Sequence, residues 1–366
     1  MENDVVLWIV VGTALAFDFT NGFHDTANAV ATSISTRAMG PRVAVTMAAS
    51  LNFVGAFLSL AVAATIASGI VNATDMTPEI VFAGLIGAIA WNLATWYFGL
   101  PSSSSHALIG GVVGATLAAV GTSGVYFDGL LEKVVIPALV APTLAFLSAG
   151  IAILIIYRIV GRQHPGTVSR GFRLGQIISG SLFSLSHGTN DAQKTMGIIF
   201  LALVANGNLS AAEDIPNWVI VSSATAIALG TYVGGWRIIR TMGSRIIKMD
   251  PAQGFAAQGV GAAVILSASH VGFPLSTTHV ISGGIMGAGA AKRVSAVRWG
   301  VAGNIVVAWV LTLPASAAVG ALTYGVTRVF GTGAAGPMVV TVGLLVALVW
   351  ALARRVSGGR TLTAEG

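Results

Sequence analysis

Cysteine is absent from all 366 residues, which removes disulfides and thiolate metal centres at once. Charge is nearly as scarce. Asp, Glu, Lys and Arg together make up 9% of the chain, against roughly a quarter in an average globular domain. A soluble fold needs a hydrated surface, so this shortage excludes one. No long hydrophilic stretch interrupts the middle of the chain, which leaves no room for a large regulatory domain there. The N-terminus, MENDVVLWIV, is acidic and has no small-residue cleavage site at the usual distance, so it does not read as a removable signal peptide.

What the chain has instead is apolar length. Hydrophobic residues make up 55% of it, and mean hydropathy is +0.83. Runs near the roughly 20 residues that span a bilayer recur at Val43–Val71, Ile80–Gly99, Val134–Tyr157, Trp218–Trp236 and Pro337–Leu352. The fold class is therefore all-α, a polytopic membrane protein. The net charge of +6 does not signal nucleic acid: Lys and Arg are scattered in short loops beside apolar spans, as the positive-inside rule requires, and not gathered into a stripe.

Those loop charges give a topology. Basic clusters lie at Arg37/Arg42, Arg158–Arg173, Arg237–Lys248, Lys292–Arg298 and Arg354–Arg360, and acidic ones at Glu2/Asp4, Asp75/Glu79, Asp128/Glu132 and Glu213/Asp214. The two kinds mostly alternate, so the N-terminus is outside and the C-terminus inside. Lys133 and Arg328 are left on the outer side. The arms Ile80–Gly99 and His106–Val120 meet in a turn that points inward, whereas Phe255–His270 and Thr278–Ala290 meet in one that points outward. Length does not say whether these arms cross or re-enter.

The chain repeats itself. An offset of 166 residues lays DFTNGFHDTAN, from Asp18, on SLSHGTNDAQK, from Ser184. An offset of 173 lays PSSSSHALIGGVVGA, from Pro101, on PLSTTHVISGGIMGA, from Pro274. A weaker match sets NFVG, from Asn52, on QGVG, from Gln258. Two polar motifs recurring in one order are a repeat, and the charges orient the copies oppositely. Such inverted-topology repeats build secondary transporters, with the site near the midplane where the halves meet. We expect a first repeat over 1–160, a cytoplasmic linker over 161–173, and a second repeat with C-terminal helices over 174–366. We also expect helix breaks at Gly22 and Gly188, tolerated where backbone faces protein or a wet cavity.

The polar residues within these apolar segments carry the chemistry. Asp18, Asn21, Asp25 and Asn28 form one helical stripe, and Ser184, His187, Asp191 and Lys194 form its counterpart. An Asp at the centre of a membrane helix costs about 2.5–3.5 kcal/mol, so Asp25 and Asp191 read as functional. The bland alternative is a structural ion pair of either with Lys194. Asp18 lies nearer the outer end, where solvation is easier, and is left open between the two. The hydroxyl clusters Ser102–Ser105 and Ser276–Thr278 each follow a Pro and open a helix. Capping accounts for one or two hydroxyls in each; the rest, with the free N–H groups of a helix N-terminus, make a neutral cradle for a tetrahedral oxyanion. The glycines after them suit close helix packing.

An oxyanion beside two carboxylates needs co-bound cations, which Asp25 and Asp191 can hold as Na⁺ or protons. Moving a dianion against about 100 mV costs about 4.6 kcal/mol, so at least two cations must accompany it. His24, His187, His106 and His279 sit in the motifs and are able to titrate near neutrality; the bland reading of each is a hydrogen-bonded linker.

With NGFHDTANAVATSISTRAM, HGTNDAQKTMG, PSSSSH and PLSTTH in view, the chain resembles the inorganic phosphate transporter (PiT) family from about Ala14 to Gly289. The resemblance implies phosphate import across the plasma (inner) membrane by symport with H⁺ or Na⁺, with no other cofactor and no resident metal, in a homodimer. Carried over by position, it implies that Ser104, Ser105, Thr277 and Thr278, flanked by Ser103 and Ser276, hold phosphate. Asp25, Asn28 and Asp191, with His24, Asn190 and His187 beside them, would hold the cations or protons. Sodium-coupled members carry Asn-Asp and a later Asn in both motifs. Here His24 precedes Asp25, and Lys194 replaces the later Asn, either standing in for a cation or binding the anion. Both departures are similar to bacterial low-affinity members that couple to protons and accept metal–phosphate complexes.

Two alternatives stand beside this reading within the transporter class: a sodium-coupled phosphate symporter and a sulfate permease of the same fold. An intramembrane hydrolase is a rival from another class, since two membrane Asp residues and a Pro137–Leu139 PAL triplet are present. However, no Gly-x-Gly-Asp element accompanies them. Ser105 and His106, as sequence neighbours, point about 100° apart on a helix and cannot form a nucleophile pair. The expectation is therefore a transporter and not an enzyme.

Overall fold

The computed structural model describes residues 2–360, and these are almost all helical. Helix α1 spans Glu2–Ser35, α2 Pro41–Gly55 and α3 Ala61–Ser68. A hairpin of α4 (Pro78–Phe98) and α5 (Ser104–Val120) follows. Then α6 (Phe127–Leu130) runs through a π turn into α7 (Ile136–Val160), and α8 covers Pro165–Ala205. Next come α9 (Asn217–Val233) and α10 (Trp236–Arg240), and a second hairpin of α11 (Pro251–His270) and α12 (Thr277–Lys292). Helices α13 (Trp299–Val329) and α14 (Ala335–Arg360) complete the described residues. Among the described residues, four stretches are long and apolar enough to cross a membrane: Asp4–Ser35, Pro78–Phe98, Phe127–Val160 and Trp299–Val329. The pair Asn217–Val233 and Trp236–Arg245, bent by 58°, makes a fifth when counted as one span.

Local signals set the hairpins' limits, and they repeat. Thr77 caps α4 and Asp250 caps α11, each followed by a proline at the first helical position, where its fixed φ and missing N–H cost nothing. Asp250 and Gln253 complete a reciprocal capping box. The first arm of each hairpin is left through a left-handed glycine, Gly99 at φ 67° and Gly272 at φ 79°, a conformation that side chains with a Cβ disfavour. At each tip a hydroxyl caps the second arm. Ser103 accepts from the His106 N–H and Ser276 from the His279 N–H.

The halves do not sit side by side; they interleave. In the first hairpin, Gly110 and Gly114 of α5 bear on α13, where a Cβ would stand 2.6 Å from the Leu313 carbonyl oxygen and 2.0 Å from that of Ala317. In the second, Gly283 and Gly287 of α12 bear on α7, at 2.4 Å from the Pro142 oxygen and 2.0 Å from that of Phe146. Each hairpin is thus covered by a long helix from the other half. The outer faces of those helices carry exposed Leu139, Leu147, Ile151, Val310 and Leu322, while the polar residues lie inside. A solvent of lipid tails selects that inversion of the soluble pattern.

The expected breaks at Gly22 and Gly188 are not there: α1 and α8 run through both glycines as continuous helices. Their work is close approach. A Cβ on Gly22 would meet the Ile227 carbonyl oxygen of α9 at 2.3 Å, and one on Gly188 the Asn52 oxygen of α2 at 2.2 Å. The interruptions fall in the partners instead, between α2 and α3 and at Gly234–Gly235 between α9 and α10. The weak Asn52–Gln258 match does not mark equivalent helices either. Pro78 and Pro251, 173 residues apart, open α4 and α11, so Gln258 belongs to the counterpart of α4 and not of α2.

Gly287→Val should therefore be severe, at or above the about 3 kcal/mol upper end of ordinary overpacking, because the new Cβ meets backbone. Gly259→Ala, where nothing lies within 4 Å, should hold or raise stability by up to about 1 kcal/mol. Thermal unfolding in detergent compares the two, and equal stability would refute the close approach.

Candidate functional site

Helices α1 and α8 pack directly on one another and bring their polar stripes together at mid-helix, where the two hairpin tips also meet. Ser105 of one tip donates to the Leu275 carbonyl of the other at 3.2 Å. The rings of His106 and His279 stand 4.8 Å apart in an edge-to-face contact, and the Trp309 indole donates to the Pro101 carbonyl at 3.1 Å. The first hairpin starts beside Val6 at one end of α1, whereas Gln258 of the second bonds Ser33 near the other end, so the two approach from opposite ends and meet at their tips.

Between the tips lie two carboxylates. Asp25 is held by His24 Nδ1 at 2.7 Å, and His24 Nε2 is 3.0 Å from the Thr95 hydroxyl. His187 Nε2 is 3.1 Å from Asp191 and 4.0 Å from Asp25, so one imidazole edge faces both acids. Asp25, His187 and Asp191 each bring one atom to within 4.8 Å of the others, a spacing that one shared proton or small cation can bridge. Asn52 sets the tautomer of His187. Its amide nitrogen donates to the Thr231 hydroxyl at 2.7 Å, which leaves Asn52 Oδ1, 3.2 Å away, to accept from His187 Nδ1.

The second hairpin's hydroxyls point at the acids. Thr277 donates to Asp191 at 3.3 Å and Thr278 to Asp25 at 3.4 Å, and Asn28 donates to both threonines at 3.3 and 2.9 Å. Lys194 donates to Asp191, to Ser105 and, at 2.8 Å, to the Leu275 carbonyl. An ammonium has three N–H donors, so all of them are engaged. Ser104 is the exception among the tip hydroxyls: it is buried with no hydrogen-bond partner.

The structure therefore brings together Asp25, His24, Asn28, His187, Asp191, Lys194, Ser104, Ser105, Thr277 and Thr278. Ser103 and Ser276 lie beside them, each committed through one lone pair to its cap. Asn190 is turned away from the acids. It donates to Ser269 and to the Phe273 carbonyl, at 2.7 and 3.1 Å, and so fixes the arm leading to the second tip. The expected pair of Asp191 with Lys194 exists, but it is built into the site and not apart from it. Thr95 and Thr231 were not singled out from sequence, and Asn52 appeared there only as the start of the weak NFVG match, with no role in the site; only packing against His24 and His187 reveals all three. All the central residues are at most 3% exposed, so the site is closed to both faces.

The chain is similar to known proteins. The sequence model of the phosphate transporter family matches residues 21–320. A Mycobacterium tuberculosis protein described as "Probable low-affinity inorganic phosphate transporter" is 58% identical over 327 residues, 89% of this chain and 78% of that protein. A Bacillus subtilis protein of the same description is 47% identical over 318 residues, covering 86% and 95%. Among solved structures, one described as the sodium-dependent phosphate transporter superposes with a TM-score of 0.81 at 26% identity, over 88% of this chain and 99% of that one.

Closure of the site is testable because the native chain has no thiol. A cysteine at Ser104 should react with a water-soluble maleimide far more slowly than one at exposed Ala212. Equal rates would mean that the site is open to water.

Proposed function

The chain belongs to the phosphate transporter family, and we propose that it is a symporter carrying inorganic phosphate, alone or as a metal–phosphate complex, inward across the plasma membrane together with protons. One observation carries the coupling: the hydroxyls suited to an oxyanion are the same hydroxyls that now bond the acids. Thr277 and Thr278 donate to Asp191 and Asp25. While these carboxylates are ionised they hold those donors and repel an anion. Neutralised by protons, they release both hydroxyls to phosphate oxygens and remove the repulsion. Ser104 adds a donor that no protein group competes for.

Lys194 supports protons over a full set of sodium ions. Its three donors are spent within the protein, so it acts as a fixed counter-charge to Asp191 and not as an anion ligand. The histidines point the same way. With its Nδ1 hydrogen directed at Asn52, an unprotonated His187 Nε2 would turn a lone pair on two carboxylates, which is repulsive. A proton belongs between them. His24 gives Asp25 a second proton partner and links it through Thr95 to Ser102. For a site closed on both sides, transport requires the interleaved halves to rock and open one face at a time.

Labelled phosphate should accumulate in proteoliposomes under an imposed proton gradient without sodium, and Asp25→Asn and Asp191→Asn should abolish this. Strict sodium dependence would overturn the coupling reading in favour of sodium symport, and uptake of sulfate alone would overturn the substrate. Lys194→Met strips the ammonium from buried Asp191, leaving it only His187 and Thr277, and should destabilise the fold by about 3–5 kcal/mol. Adding Asp191→Asn should recover most of that stability in a thermal melt but restore no uptake, which separates the pair's structural role from its transport role.

A further inference from the structure

Seven residues before Asp25, about two turns nearer the outer end of α1, Asp18 is fully buried. The outer-end solvation expected from its position is absent. Neither of its carboxylate oxygens has a hydrogen-bond partner. Thr195 of α8 and Asn21 stand beside it, near hydrogen-bonding range without completing a bond of ordinary geometry. These are themselves incomplete: Asn21 Oδ1 and the Thr195 hydroxyl are also buried without a partner. Four unpartnered oxygens thus converge in one place, although a lone polar group left so in a low-dielectric interior costs several kcal/mol. The inverted counterpart has nothing of the kind, since Ser184 and Ala29 occupy the positions equivalent to Asp18 and Thr195.

We infer that Asp18, Asn21 and Thr195 form a proton-binding site distinct from the central cluster, lying between it and the outer face. The inference rests on the proton-coupled reading above and extends it. One proton completes every unpartnered atom: the acid O–H donates to Asn21 Oδ1, and the Thr195 hydroxyl donates to the other carboxylate oxygen. A metal cation fits less well. It would find these four side-chain oxygens and no backbone carbonyl, because α1 and α8 run unbroken here and their carbonyls are spent in the helices, whereas hard cations take six or more oxygen ligands.

The charges facing Asp18 are Asp191 and His187 from α8, with Lys194 next to Thr195, and Asp25 and His24 further along α1. Of the other helices against α1, α4 brings Glu79, which lies beside Val6 about three turns outward, and Tyr97, exposed at the opposite end of that helix. Helix α9 brings only Tyr232, exposed near its inner end. A proton on Asp18 therefore sits in the field of Asp191 and His187 without joining their cluster, and it removes a negative charge from the outer path of the anion.

The test compares wild type with Asp18→Asn, whose amide mimics the protonated acid but cannot release the proton. Both are placed in proteoliposomes with a pH dye inside, labelled phosphate outside, and about 100 mV imposed. The variant should continue phosphate–phosphate exchange yet carry one proton fewer per phosphate. Its steady-state accumulation should fall roughly fortyfold, which is the about 2.3 kcal/mol of one charge across that potential. Unchanged proton stoichiometry and accumulation in the variant would overturn the inference and leave the symport reading intact. Wild-type vesicles that take up no phosphate would instead overturn the symport reading. Loss that tracks a sodium gradient would reassign the ligand and overturn the proton assignment. Should exchange also fail in the variant, infrared difference spectra of the purified proteins decide. A protonated-carboxyl band present in wild type and missing from Asp18→Asn upholds the inference; its absence from wild type refutes it.

Discussion

Two acids cannot remain ionised in a membrane interior unless something positive or proton-donating meets them, and this constraint organises the whole molecule. Asp25 and Asp191 sit at less than 2% exposure. His24, His187 and Lys194 surround them, and threonine hydroxyls from the second hairpin close the shell. Removing charges from water is costly enough that such a shell has to be nearly complete. It draws on α1, α8, both tips and, through Asn52 and Thr95, on α2 and α4. The helices must converge to supply it, and they converge where α1 and α8 lie against each other.

Convergence at that density requires small residues. The same glycine spacing in both hairpins, Gly110/Gly114 and Gly283/Gly287, lets α13 and α7 come within backbone contact. Association of helices in lipid relies on such packing because water does not drive it. Since each covering helix comes from the other half, a movement of one hairpin is transmitted to both repeats. The closed site and the exchanged helices are thus two sides of one arrangement: buried polar residues covered by helices drawn from both parts of the chain.

Much of the site was legible in the sequence. Asp25, Asp191, Lys194 and the two hydroxyl tips stood out because polar residues in apolar helices are costly, and because they occurred twice at fixed offsets. The meeting of the two hairpins tip to tip did not, since α4 is long enough to span on length alone. Nor did the role of Gly22 and Gly188. A glycine beside polar residues looks like a break, yet here the ladder continues through it and the missing Cβ serves a neighbour that is remote in sequence. Asn190 shares its position in the repeat with His24, but packing turned it to a different task.

By itself the sequence determined a helical membrane protein of two oppositely oriented repeats, with an acidic pair and hydroxyl-rich tips, because hydropathy, loop charge and internal repetition are local or periodic properties. The exchange of covering helices, the engagement of all three Lys194 donors and the isolation of Asp18 were decided only in the tertiary structure. Each depends on which residues of distant segments approach within a hydrogen bond's length, and no spacing along the chain encodes that distance.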